Sequence, residues 1–219
     1  MPAAAVIESV NVGVPRPIPA KAGASAIDKR PVAGPVQVSV PAAGRSGLAG
    51  DSICDTDHHG GADQAVYAYA REDLAWWSGE LGAAFGAGAF GENLTTAGLD
   101  VNGALVGETW RVGADLLLRV TTPRIPCRTF GVWLRRSGWA RTFTRAARPG
   151  TYLSVLRPGA VRAGDTVEVV DRPDHGVTVA MVFRAITLEA DLLPRLLTAE
   201  HDLPPELVDT ARRRAGVSR

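Results

Sequence analysis

Cys127 closes the run Thr121-Thr-Pro-Arg-Ile-Pro-Cys127, in which two prolines and an arginine lead from an apolar stretch to a thiol. Pro123 and Pro126 each fix φ and remove a backbone donor, so a strand over residues 115–122 must end there. Arg124 and Arg128 bracket the sulfur with positive charge, which favours the thiolate, the form that attacks electrophiles or binds metal. The bland alternative is a buried, inert cysteine behaving as a small hydrophobe.

Two further segments are loaded with polar groups. Residues 50–63 pack four acids, His58, His59 and Cys54 around Gly60 and Gly61. Cys54, His58 and His59 could serve as metal ligands, but their spacing matches no standard zinc pattern, and adjacent histidines on a strand would face opposite ways. The favoured reading is a turn whose glycines let backbone approach a ligand, with His59 and Asp63 aimed at it; a glycine-rich connection with solvated acids stays open. In Phe90-Gly-Glu-Asn-Leu-Thr-Thr96, Gly91 again permits close approach, while Asn93, Thr95 and Thr96 offer compact donors and acceptors.

The elements that must position these groups are mostly short strands. Alternation predicts one over residues 5–12, and others over 36–40, 65–69, 109–112, 116–122, 152–156 and 166–170, punctuated by glycine, proline and aspartate. Residues 15–35, with five prolines, read as a long ordered loop that no regular element would tolerate. Helical spacing is confined to residues 71–81 and 130–147 until the period changes after residue 174. There Val179, Val182, Phe183 and Ile186, then Leu192, Leu193, Leu196 and Leu197, then Leu207, Val208 and Ala211 after a Pro204-Pro205 start, predict three short amphipathic helices. Arg212, Arg213 and Arg214 read as cations at a helix C-terminus.

At 219 residues, 46% hydrophobic and a formal net charge of +1, the chain has the length for one domain and a small appendage. Its basic residues read as spread rather than massed, and nothing in them suggests a nucleic-acid footprint. Two cysteines and no leader-like start point to a reducing cytosol, and no apolar run is long enough to span a bilayer.

In this order, His58-His-Gly-Gly, Ala65-Val-Tyr-Ala-Tyr, Phe90-Gly-Glu-Asn-Leu-Thr-Thr and Pro123-Arg-Ile-Pro-Cys resemble the MOSC family, named for the C-terminal domain of molybdenum cofactor sulfurase. The likeness is to its bacterial hydroxylaminopurine-resistance branch. It spans essentially the whole chain, including Ser25-Ala-Ile-Asp-Lys29 and Gly150-Thr-Tyr-Leu-Ser154. It implies a mainly β fold: a closed barrel with a few peripheral helices over residues 1–172, then a three-helix domain over 173–219. It also implies a molybdopterin-type molybdenum cofactor, with Cys127 as catalytic residue, ligating the metal or carrying its sulfur. A protein thiolate is a soft ligand suited to that metal. Lys29 and Arg124 would meet the cofactor phosphate or pterin, with His59, Asp63, Asn93 and Thr95 in the pocket. Ser154 departs from the basic residue expected there, which puts one anion contact in doubt, and Cys54 reads as an adventitious core thiol.

The activity implied is two-electron reduction of small N-hydroxylated compounds. Electrons must come from a separate reductase, because the sequence has no flavin fingerprint, haem motif or iron–sulfur cysteine cluster. No nucleic-acid or membrane partner is expected, and oligomerisation is left open. Two readings compete. In one, the protein carries sulfur as a persulfide on Cys127, formed without pyridoxal phosphate, or hands on the cofactor. In the other, an idle barrel binds a partner through its helical tail.

Overall fold

Residues 4–20 and 23–216 are described by a computed structural model. Twelve strands form: β1 (Val6–Gly13), β2 (Arg16–Pro17), β3 (Ala24–Ser25), β4 (Lys29–Pro31), β5 (Val36–Val38), β6 (Val66–Ala70), β7 (Leu94–Ala97), β8 (Thr109–Val112), β9 (Leu116–Pro123), β10 (Thr151–Arg157), β11 (Gly159–Val161) and β12 (Val167–Asp171). Among the described residues six α-helices accompany them: α1 (Arg71–Leu81), α2 (Arg128–Trp133), α3 (Trp139–Ala146), α4 (Val179–Thr187), α5 (Leu193–Leu196) and α6 (Pro205–Ala215). The fold is sheet-dominated, with helices around it.

Eight strands join in the order β12-β8-β9-β10-β6-β7-β1-β4. All neighbours are antiparallel except β6 and β7, whose parallel pairing requires the crossover that α1 supplies. Every residue of β6 is buried, as befits a strand covered on both faces. Along β9, Leu116, Leu118 and Val120 point into the main core, and the ladder stops at Pro123, opposite Thr151. β10 comes late in the chain yet lies between β6 and β9, with Thr151 facing Ala68 on one side and Pro123 on the other.

The closed barrel expected from the sequence is not found, because β12 and β4 end the order and do not pair. β4 takes residues 11–13 of β1, leaving residues 5–7 to meet the segment leading into β12. Contact there amounts to the bridge Val6↔Thr166 and a few backbone bonds, such as Ile7 N to Asp165 O at 2.8 Å. The proline-rich segment also departs from expectation. It holds β2, β3 and β4, with Pro17 and Pro31 in short strands of the kind where a missing N–H is tolerated. The helical stretch expected over 130–147 is broken into α2 and α3, the break marked by Arg135 at φ 53 and Gly138 at φ 69.

Beyond residue 174, α4 starts behind Thr178, whose Oγ1 accepts from the Met181 amide at 3.1 Å. α4, α5 and α6, interspersed with 3-10 turns, share a cluster that includes Val182, Leu193, Leu196 and Val208. Val179 instead joins the main core, and Phe183 joins a separate aromatic cluster. In α6, Arg212 pairs with Glu200 at 2.5 Å and all three arginines occupy the last turn. The aromatic cluster, built from Tyr67, Tyr69, Trp77, Phe90, Phe130, Trp139 and Phe143, lies behind the end of β9 and carries the functional loop.

Candidate functional site

The turn after Pro123 places Arg124 where a charged side chain is costly: it is 5% exposed. Its guanidinium lies over the rings of Phe130 (4.1 Å to the centroid) and Tyr67 (5.1 Å), and Nη1 donates to the Phe90 carbonyl. Nε is buried with no hydrogen-bond partner among the described residues. A cation desolvated this far, with a donor left unused, is set up to receive an anion.

Pro126 leads into Cys127, which adopts extended backbone (φ −112, ψ 169) at the N-cap of α2. Its thiol is half-buried. Burial pushes the thiol pKa up, but a hydrogen bond with His59, the charge of Arg124 and the Phe130 amide outweigh it, holding the pKa at about 7. The thiolate is therefore favoured relative to that of an ordinary cysteine. Of the two flanking arginines, only Arg124 contributes; Arg128 is exposed.

Opposite stands Lys29, whose side chain is 9% exposed and paired with Asp51. Burial pulls the lysine pKa down, and Asp51 opposes that pull. Asp51 also accepts from the Gly13 amide at 2.7 Å and from Asn93 Nδ2 at 2.9 Å. Asn93 in turn accepts from the Tyr67 amide at 3.1 Å, so Lys29 is held by a clamp anchored on β1 and β6.

Cys127, Arg124, Lys29, His59 and Asn93 all line one cavity of ≈ 110 Å³. Asp51, Cys54, Gln64, Tyr67 and Tyr152 line it as well. Cys54 is thus not a core thiol: it is half-buried at the cavity wall, where burial raises its pKa. Gln64 carries a second buried atom without a partner, Oε1. Gly91 earns its place by fit: its φ is 75, and a Cβ there would lie 3.0 Å from the Ile27 side chain.

Two residues expected in the pocket do not line it. Asp63 is exposed on the 3-10 turn Ala62–Gln64, and only its carbonyl is engaged, accepting from Thr121 Oγ1 at 2.6 Å. Thr95 is fully buried, donating to Glu92 Oε1 at 2.9 Å and accepting from Asn11 Nδ2 at 3.0 Å. Sequence reasoning missed what Thr95 serves. Glu92 is fully buried, and its carboxylate accepts from the amides of Gly88 (2.6 Å) and Phe90 (3.0 Å), while burial raises its pKa. It shapes the turn whose carbonyl receives Arg124. Asp51 and Gln64 were visible only as unremarkable polar residues in or beside a polar segment.

Chemically, the cavity offers one thiolate-prone sulfur, a cation with an open donor, and a neutralised lysine–aspartate pair. Among the described residues no group of three or more His, Cys, Asp or Glu is placed to hold a metal ion. A metal at Cys127 would have to bring most of its ligands with it.

Residues 55–168 match the family model of the MOSC domain. The chain is 35% identical over 159 residues to the protein YiiM of Escherichia coli strain K12, covering 70% of each. It is 32% identical over 168 residues to a protein named "Reductase" from Gibberella moniliformis, covering 74% of this chain but 28% of that longer one. The crystal structure of YiiM from Geobacillus stearothermophilus superposes with a TM-score of 0.78 at 27% identity, covering 98% of this chain and 100% of that one.

Proposed function

The chain belongs to the MOSC domain family, and from that premise we propose that it holds a molybdopterin-type molybdenum cofactor and reduces small N-hydroxylated compounds. Its likeness to YiiM is consistent with the hydroxylaminopurine-resistance-like branch. The observation that carries the proposal is the joint placement of Cys127, near-neutral in pKa, and Arg124, buried with an unused Nε, on one cavity. These residues fit the group. A soft metal takes a thiolate, and an anionic cofactor arm takes a buried arginine better than any solvent-exposed one.

When bound, the cofactor supplies two-electron removal of oxygen from an N–OH group; with two protons, the products are the amine-type compound and water. The chain supplies everything else. Cys127 is the protein's thiolate ligand. His59, beside that sulfur on the cavity, favours its thiolate form. Arg124 and Lys29 bind the anionic part of the cofactor, with Asp51 and Asn93 keeping the lysine in place. Tyr67 and Tyr152 wall the cavity against water. The sheet-dominated domain over residues 1–172 carries this chemistry in the proposal, and the helices that follow it brace β9 through α4. We place the protein in the cytoplasm; no helix among the described residues is long and apolar enough to cross a membrane.

Elemental analysis of natively expressed protein beside its Cys127→Ala variant tests this reading, together with turnover of amidoximes and hydroxylamines driven by dithionite. Molybdenum in the first and not the second, with turnover only in the first, is expected. A persulfide on Cys127 with no molybdenum would replace it with the sulfur-carrier reading.

A further inference from the structure

Positive charge is not evenly spread along this chain. Residues 116–164 hold ten arginines and no acidic side chain, whereas the other 170 residues hold fourteen basic and all twenty-three acidic ones, a net of −9. Most of those arginines are already used. Arg119 pairs with Asp202, Arg148 with Asp73 and Arg162 with Asp165, while Arg124, Arg136 and Arg157 donate to carbonyls. The four left, with no hydrogen bond or ion pair to their side chains among the described residues, are Arg128, Arg135, Arg141 and Arg145, all exposed and all on the α2–α3 hairpin that begins at Cys127.

Folding alone does not favour this arrangement. Arg141 and Arg145 stand one helical turn apart, where like charges repel. Arg135 sits at φ 53, a left-handed conformation that glycine or asparagine adopts more cheaply. The hairpin is nonetheless rigid, because Phe130, Trp139 and Phe143 on its underside are buried in the aromatic cluster. Ile125, 45% exposed in the loop just before Cys127, adds an apolar spot to the charged surface. A fixed cationic patch with an apolar spot suits a protein partner of opposite charge.

We propose that the α2–α3 hairpin is the docking surface for a small electron-carrier protein with an acidic face. The inference rests on the reductive function above, which needs electrons from outside the chain. Two observations single out this occupant. The hairpin that bears the patch starts at the sulfur where electrons are needed: Arg128 follows Cys127 directly, Arg135 comes after α2, a helix about 9 Å long, and Arg141 and Arg145 lie on α3. The net negative charge of the remaining chain repels nucleic acid and anionic membranes, which would have to lie over a wider area than one hairpin. A compact acidic protein need only meet the patch.

The test uses the full-length protein and a purified FMN-loaded flavodoxin as probe, with duplex DNA and phosphatidylglycerol vesicles alongside, each titrated calorimetrically at low and near-physiological salt. Wild type is expected to bind the flavodoxin, and Arg141→Glu combined with Arg145→Glu to weaken that binding by about tenfold or more at low salt. Arg213→Glu, on the exposed side of α6, is expected to leave it within about twofold. Dithionite-driven turnover should be equal in wild type and the hairpin variant, while flavodoxin-driven turnover falls in step with binding. No flavodoxin binding, an unchanged affinity in the double variant, or a preference for the duplex or the vesicles overturns the proposal. Absence of dithionite-driven turnover in wild type would instead sink the functional reading, and the binding comparison would still judge the surface.

Discussion

The cavity has two walls built by different means. One, carrying Arg124 and Cys127, hangs from the end of β9 and rests on the aromatic cluster, so its side chains are fixed by packing. The other, carrying Asp51, Cys54 and His59, is a stretch of turns between β5 and β6, fixed by hydrogen bonds to its neighbours. The packed wall presents charge and sulfur; the bonded wall adjusts them. The difference teaches that buried charge is tolerated on the first because rings shield it, and on the second only because each charge has a partner.

The sharpest break of that contrast is Cys127→Ala on the packed wall. Molybdenum content should fall to background while the melting temperature stays within a few degrees, since the half-buried thiol supports little packing; elemental analysis and a thermal melt report both. On the bonded wall Asp51→Ala should act in the opposite way, on stability first. It strands Lys29 as a buried unpaired cation at a cost of about 3–5 kcal/mol, read from urea denaturation midpoints. Removing both charges in Lys29→Met with Asp51→Leu should recover much of the loss, and failure to recover would mean that the pair is not what the wall depends on.

A smaller effect tests how one wall tunes the other. In cofactor-free protein the rate of Cys127 alkylation by iodoacetamide should rise through a midpoint of about 7 and level off above it, because only the thiolate reacts. Losing the His59 hydrogen bond in His59→Ala removes a lowering influence, so the midpoint should move up. Alkylation at pH 7 should then slow several-fold. A midpoint that stays put would show that Arg124 and the Phe130 amide suffice. Smallest of all, Arg135→Gly should stabilise the packed wall by about 1 kcal/mol by relieving the left-handed strain, visible as a modest rise in melting temperature.

How much of this was legible in the sequence follows the same division. Cys127 and Arg124 could be read directly, because prolines and an apolar strand announce where a packed platform ends. The bonded wall was legible only in part: His59 lines the cavity as its glycine turn suggested, but Asp63 and Gln64 are adjacent polar residues on a short turn, and nothing in their types says that the first faces solvent and the second the cavity. Thr95 looked like a ligand contact for the same reason, yet it serves Glu92. Helix spacing over 130–147 located the helical stretch but hid the break, since arginine at a left-handed position carries no local signal. The proline-rich segment was misjudged because proline is excluded from central strands but tolerated in the short ones that form there.

The position of β10 has a consequence for how the molecule comes into being. Thr151 and Tyr152 join the strand bearing Tyr67 to the strand leading to Cys127, so neither can find its place beside the other until the chain is made past residue 157. A nascent polypeptide still shorter than that on the ribosome has both halves of the cavity but no hinge pin between them. Loading of any cofactor therefore waits until the chain has been made past residue 157.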